Sequence, residues 1–595
     1  MRSPGHPSAA AHVRGALLFG SSIEIDVATY EETKADSSAS GGEGDGGISR
    51  VERAGPRPLR WGITKDPLRP YKRRNQKAMS KLPFRPEGHE GSVEQYLPKV
   101  QNAVVKALTQ AQKGLPHDTL RLDRPCLKAL AGILVEFVED LHCEIGIWRS
   151  LERYNTEFFG TPLPFLFEPR AAFALDAISP TRLQHFLWIL YPQLIPDLLL
   201  GPDHTDLVRL AQVAAEVLQE QFADLPKDSG VKHFLGTPHK RGWEVKRKLI
   251  WLGTGSYLFR IFCQRYIEEQ NAELSDIGVI DDFLCQQCTE WVGLGALEVL
   301  ASVLDLSPER RADLLSWSER HNAVFKVLSG NKEKIEVLNL INDVKYRVRL
   351  NLERNPFARG EFVHGSLVPW DGEWYWSGTQ KKFDRLDAAA IEQVKQHYRM
   401  LPTIYYRYSP EDLKQAREMV RQQYEEFVAS RGKDWVVYPD GLTMAADWQE
   451  SAKAKIAALP EDERKRLMEK YGLKAPAPEM NIPRDLLESK NGIGVYFNPD
   501  EGMEIMPDFN DVLSGLKKKG RGLTGDEEAE IRGWVMSQSL SPGFVRRLAE
   551  EHGSESIAAA FLLGKQKEDY VLEYLLRRYK GQFYRPRYPT LTIVK

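Results

Sequence analysis

Several groups of residues in this sequence carry side chains suited to chemistry, and each also has a plainer structural reading. Cys285 and Cys288 in "FLCQQCTEW" have half the spacing of a zinc knuckle, with His233 and His239 as the candidates to complete four ligands. No second cysteine pair exists in the chain, so two thiols three residues apart on a helix read better as small buried residues. Glu139 and His142 in "EDLH" match the Glu-x-x-His step of carboxylate-bridged metal bundles. That step occurs once, and the pair is expected on the solvated flank of a helix. Gly253 and Gly255 in "WLGTGSYLFR" suggest a phosphate loop, but no Gly-Lys-Ser/Thr follows and no strand precedes. A kink or a close approach of two helices is the better expectation. The adjoining Lys240, Arg241, Lys246, Arg247 and Lys248 read as a solvated basic face, with an anion patch as the alternative.

Asp203, His204 and Asp206 have metal-friendly side chains, yet their place between two helices suits Asp203 or Thr205 as a cap. Asp500, Glu501, Glu504 and Asp508 surround a hairpin and could pair as acid and base, but nothing positions a nucleophile beside them. None of these groups amounts to a catalytic, metal or cofactor signature, and no cofactor is expected.

Basic and aromatic residues give a second kind of signal. In "VKYRVRLNL", Val344, Tyr346, Val348 and Leu350 alternate with Lys345, Arg347 and Arg349, so one strand has an apolar face and a basic face. "VPWDGEWYWSG" follows, with Asp371-Gly372 as a two-residue hairpin signal. Trp374 and Trp376 fall on one face of the third strand and are expected in a small core, with Trp370 capping the turn. The functional alternative sets Trp370 or Tyr375 beside Lys345, Arg347 and Arg349 as a groove for single-stranded nucleic acid or an acidic peptide. Near the end of the chain, Arg577, Arg578, Lys580, Arg585 and Arg587 are interleaved with Tyr574, Tyr579, Phe583, Tyr584 and Tyr588 and contain no acid. That mixture suits phosphate contact and stacking; the plain reading is a tail whose rings pack while its arginines stay wet.

The elements that must position these residues follow from pattern and composition. A chain of 595 residues is too long for one core, and its 81 basic and 83 acidic residues exclude a globally basic nucleic-acid binder. Five cysteines and no apolar run of about 18 residues point to a reducing compartment, the cytoplasm, and to no membrane span. Residues 1–90 read as a disordered extension, low in complexity at 35–47 and basic over 50–85. Met79 is an alternative start; the other readings are a solvated tail and a nucleic-acid-binding arm.

The expected fold is mainly α and multi-domain. An α-helical domain covers 91–340, and its clearest helix, 124–155, has an apolar stripe from Leu127 to Leu151. Further helices are expected at 178–202 with breaks at Pro192 and Pro196, and at 203–222, 241–270, 280–304 and 308–328. A small antiparallel β-meander or SH3-like module follows at 341–385, then a helical segment with a short strand at 386–475, and an α+β region with a basic aromatic tail at 484–595. The expected function is an interaction or scaffold protein that meets a protein partner through the β-module and the tail. Nucleic-acid binding through Arg347, Arg349, Arg578, Arg585 and Arg587 with Tyr375 and Tyr584 is the alternative, and an enzyme of unrecognised type is the third reading.

Overall fold

The computed structural model describes residues 84–587, except 117–118, 168–173, 175, 196, 274, 320, 351–354, 384–385, 400–409, 463, 467–481 and 567. The expectations for residues 1–83 and for Tyr588 lie outside the described residues. The chain is mainly helical, with two small sheets.

Eleven helices precede the first strand among the described residues: α1 (Leu97–Lys113), α2 (Arg124–His142), α3 (Ile147–Phe159), α4 (Pro180–Leu194), α5 (Thr205–Phe222), α6 (Gly230–Gly236), α7 (Gly242–Gly255), α8 (Arg260–Glu269), α9 (Ile277–Gln286), α10 (Ala296–Val303) and α11 (Pro308–Leu315). α2 begins as its sequence dictates. The Asp123 carboxylate accepts the Cys126 N–H, and Pro125 sits in the first turn, where its missing N–H costs nothing. From Ala129 to His142 every residue of α2 is buried, so it is covered on all sides. Glu139 and His142 are therefore interior, which corrects the expectation of a solvated flank. The polar side of α2 meets Arg85 ahead of α1, the end of α5, Ser229 ahead of α6 and Arg260 of α8, contacts that periodicity alone could not show.

Pro192 does not break its helix as expected. α4 runs through it to Leu194, because the lost hydrogen bond falls in a turn that is ending anyway. The expected single helices at 124–155, 241–270 and 280–304 are each two, α2 with α3, α7 with α8 and α9 with α10. At Gly253 a Cβ would lie 2.0 Å from the Leu284 side chain, so this glycine lets α7 and α9 touch.

His185 on α4 is fully buried, packs between the rings of Trp148 and Trp188, and has no hydrogen-bond partner at either nitrogen. Burial, with Arg578 as the nearby charge, pushes its imidazole down to about 3. The folded state thus binds this proton more weakly than the unfolded chain does, and the stability is present above about pH 6.5 and lost as pH falls towards 3. At about 1.4 kcal/mol per unit, some 2 kcal/mol should disappear between pH 7 and 5. His185→Leu should remove that slope and leave stability at pH 7 unchanged or raised, measured by urea unfolding at both pH values.

Ser307 caps α11 by accepting the Arg310 N–H, but the helix expected over 308–328 stops at Leu315. A 3-10 turn, Ser316–Glu319, leads into β1 (His321–Gly330), β2 (Lys334–Asn339), β3 (Lys345–Arg349), β4 (Phe362–Trp370) and β5 (Glu373–Phe383). These five strands close into a barrel in the order β1-β2-β3-β5-β4, with β1 also paired to β4. All pairings are antiparallel except β3 with β5, which is parallel. The expected three-stranded meander at 341–385 is corrected on two counts: the module begins about twenty residues earlier, and two strands, β1 and β2, come from the stretch read as helical. Asp371 and Gly372 both have positive φ, +54° and +76°, the backbone of the hairpin turn their sequence signals. Phe325, Val337, Tyr346 and Val348 fill the barrel, with Trp374 and Trp376 packed against them, so these two indoles are core.

The chain continues through α12 (Ala388–Arg399), α13 (Pro410–Arg431), β6 (Trp435–Tyr438), α14 (Gly441–Ala457), α15 (Arg484–Glu488), β7 (Ile493–Asn498) and β8 (Gly502–Pro507). β6, β7 and β8 form an antiparallel sheet in that order, matching the expected strand and hairpin. It ends with α16 (Phe509–Lys517), α17 (Gly525–Met536), α18 (Pro542–His552), α19 (Glu555–Ala560), α20 (Val571–Tyr579) and a 3-10 turn, Gly581–Tyr584. One buried cluster runs without interruption from the first helices into α16–α20, while the barrel keeps a core of its own. No described helix is long and apolar enough to cross a membrane.

Candidate functional site

The residues singled out from the sequence divide into a locked set and an open set. Trp370 is fully buried and donates its indole N–H to the His239 carbonyl at 3.1 Å, with Trp317 edge-on to it. Tyr375 is 4% exposed and lies against Gly242 and Trp243 of α7. A Cβ on Gly242 would sit 2.7 Å from the Tyr375 ring, so the glycine is what lets the barrel dock. Neither aromatic offers a surface, contrary to the groove reading. Together with Arg310–Asp371 and the Lys246–Asp281–Ser377 contacts, they bind the barrel to the helical frame through β5 and the β4–β5 turn.

The tail is locked as well, which corrects the expectation of a binding surface there. Arg585 donates through Nη2 to both oxygens of Glu298, at 2.8 and 2.9 Å, and through Nη1 to the Cys285 carbonyl. Arg587 forks onto Glu501, with Nε and Nη2 donating to one oxygen each at 2.6 and 2.8 Å. Tyr584 meets Arg546 at 2.8 Å, and Arg577 lies over the Phe158 ring while pairing with Glu573. Arg578 is buried beside Glu290. The arginines that looked like phosphate hooks are a strap that ties the C-terminal helices to α9 and α10. Arg585→Ala should cost about 3 kcal/mol, because Glu298 and a backbone carbonyl lose their donor together; Arg585→Lys should recover only part of it, measured by guanidinium unfolding.

The remaining candidates are structural too. Lys248 is buried and donates to the Leu235 and Thr237 carbonyls, and burial pushes its ammonium down to about 8, so the basic cluster there is not a wholly solvated face. His204, rather than Asp203 or Thr205, caps α5 by accepting the Asp206 N–H. Glu504 is buried and accepts from the Ser541 N–H and Asn498, and Glu501 belongs to Arg587. Cys285 is buried and Cys288 lies beyond the end of α9, so the two thiols do not share a helical face. No group of three or more potential metal ligands occurs among the described residues.

What stays open is the outer face of β2 and β3. Register fixes it: Lys334 pairs with Arg349, Glu336 with Arg347 and Leu338 with Lys345, while Ile335, Val337, Tyr346 and Val348 point into the barrel. At one end Glu373 collects Lys334 and Arg349 at 2.7 Å each, the Tyr375 hydroxyl at 2.9 Å and Arg241 at 3.4 Å. Burial pushes the Glu373 carboxyl up, but these donors outweigh it and hold the group down at about 2. Lys345 and Arg347 are exposed and have no partner among the described residues, and Lys332 stands exposed in the β1–β2 loop. Asn331 holds that loop by accepting the N–H groups of Glu333 and Lys334. Sequence reasoning found Lys345 and Arg347 by alternation; it missed Lys332 and Lys334 because β2 was not recognised.

The class defined at this point is a helical protein that carries a closed five-stranded β-barrel with one free basic face. Residues 82–343 match the family described as a protein of unknown function (DUF3843), a stretch that runs from the first helices through β2 and covers somewhat under half of the chain. No curated protein and no solved structure matches the chain.

Proposed function

We propose that this is a binding protein in which the helical body presents the barrel and the outer face of β2 and β3 holds an extended polyanion, single-stranded nucleic acid. The observation that carries the reading is the barrel's connectivity. The order β1-β2-β3-β5-β4, closed through β1 and β4 and with one parallel pair, is that of the oligonucleotide/oligosaccharide-binding barrel, whose ligands lie across strands 2 and 3. In this chain that face carries the exposed Lys345 and Arg347, with Lys332 exposed in the adjoining loop. The described part of the β3–β4 connection, 355–361, holds no helix, and Ile391 of α12 packs against Val324, Leu340 and Phe362 on the β1–β4 side of the barrel.

The same geometry sets the character of the binding. Trp370, Tyr375, Trp374 and Trp376 are all turned into cores, so the face offers charge without an aromatic platform. Binding should be tolerant of sequence, steep in salt, and silent in tryptophan fluorescence. With about three phosphate contacts, the affinity for a single strand should fall roughly a hundredfold over a tenfold rise in salt. Anisotropy of a labelled oligothymidine titrated with the full chain at low and high salt tests this; no binding at low salt contradicts it. In the interaction-scaffold reading the same face meets an acidic segment of a protein, and oligothymidine would then fail where an acidic peptide succeeds.

A further inference from the structure

The helical body has a second site whose chemistry the barrel does not use. Glu136, Glu139 and Asp140 occupy one turn of α2, and they are 8%, 1% and 2% exposed. Asp140 is fully satisfied by the start of α3. The other two face the chain that precedes α1. Arg85 forks onto Glu139 at 2.8 and 2.5 Å, and the Ser229 hydroxyl donates to the same carboxylate at 2.6 Å. Glu94 lies 3.5 Å from the Arg85 guanidinium, and Arg260 holds one oxygen of Glu136 at 2.5 Å. Three acids thus converge on two arginines.

Acceptors outnumber the donors that reach them. Oε2 of Glu94 and Oε1 of Glu136 are buried without a hydrogen-bond partner, and the Glu136 side chain is more than nine-tenths buried. Beneath Arg85 is a cavity of about 20 Å³ bordered by Glu136, Trp251 and Tyr257, room for one water and nothing larger. The pocket is therefore filled by the Arg85 side chain itself. That side chain enters from solvent and is 21% exposed. Phe84 beside it rests on Gly255, next to Trp251, yet is 46% exposed.

We propose that this is a recognition pocket for the guanidinium of an arginine, that Arg85 occupies it as an internal ligand, and that an arginine following an aromatic residue in a separate peptide segment can take its place. The fork of Glu139, fixed by Ser229, reads the planar guanidinium; Glu94 supplies the one negative charge left over once Arg260 has paired with Glu136; the indole and phenol walls take the preceding ring. A lysine lacks the fork and would bind as a point charge.

The test uses the full chain and a fluorescein-labelled peptide of residues 79–90, "MSKLPFRPEGHE". Arg85→Ala empties the pocket and should bind the peptide at least about tenfold more tightly than the wild type does, where the internal arginine competes. The same peptide with alanine at the arginine should not bind, and Glu139→Gln in the Arg85→Ala chain should abolish capture. If Arg85→Ala does not fold by circular dichroism, Arg85→Lys replaces it, and the peptide should still outcompete the lysine. A folded Arg85→Ala or Arg85→Lys chain that ignores about 1 mM peptide overturns the proposal, as does equal capture of the alanine peptide.

Discussion

Asp140→Ala is expected to be among the most damaging single substitutions in the helical body, costing about 4 kcal/mol or more. The Asp140 carboxylate accepts the backbone N–H groups of Gly146, Ile147 and Trp148 at 2.7, 3.1 and 2.6 Å, and the Tyr257 hydroxyl at 2.6 Å. Those N–H groups are the unsatisfied donors at the start of α3, a helix whose N-cap, Gly146, has no side chain to serve them. One carboxylate from α2 does the work of the cap, and the positive end of the α3 dipole favours its charge. Alanine would strand four donors where water cannot reach, each costing about 1–3 kcal/mol before relaxation. Asp140→Asn should recover about half of the loss, since one oxygen still accepts while the amide nitrogen faces donors. Urea unfolding followed by far-ultraviolet circular dichroism measures both. A loss below about 1 kcal/mol for alanine would mean that α3 finds another cap.

The second large effect is on binding. Lys345→Glu combined with Arg347→Glu should weaken oligothymidine binding by about a hundredfold or more, because two attractive charges become two repulsive ones at the centre of the face. Both side chains are exposed and unpartnered among the described residues, so the melting temperature should fall only slightly, through the like charge that Arg347→Glu sets opposite Glu336. The salt dependence should flatten by about one to two logarithmic units. Arg585→Glu and Arg587→Glu should behave in the opposite way. They destabilise the fold, because Glu298 and Glu501 are their partners, and they leave binding by the folded fraction unchanged. The contrast separates the open basic residues from the locked ones.

Alternation and local turn chemistry made part of this legible. The Lys345/Arg347 face, the Asp371-Gly372 turn, the inward Trp374 and Trp376 and the caps at Asp123 and Ser307 all depend on residues within a few positions of one another. The strands β1 and β2 were hidden because "AVFKVL" is a short apolar run that fits a helix or a strand, and it follows a well-capped helix start. The tail misled for a different reason. Glu298 is 287 residues from Arg585 and Glu501 is 86 from Arg587, so a stretch without acids looked unpaired although its partners were elsewhere. Glu139 belongs with the tail: its partners, Arg85 and Ser229, are 54 and 90 residues away, and nothing in the spacing of "EDLH" announces them.

Ultraviolet crosslinking of a photoreactive oligothymidine to the full chain at low salt, with the modified peptides identified by mass spectrometry, tests the barrel assignment most directly. Crosslinks should concentrate in the peptides spanning Lys332 to Arg349 and vanish in the Lys345→Glu/Arg347→Glu chain. Crosslinks confined to the strap around Arg577 to Arg587, or none at any salt concentration, would contradict it.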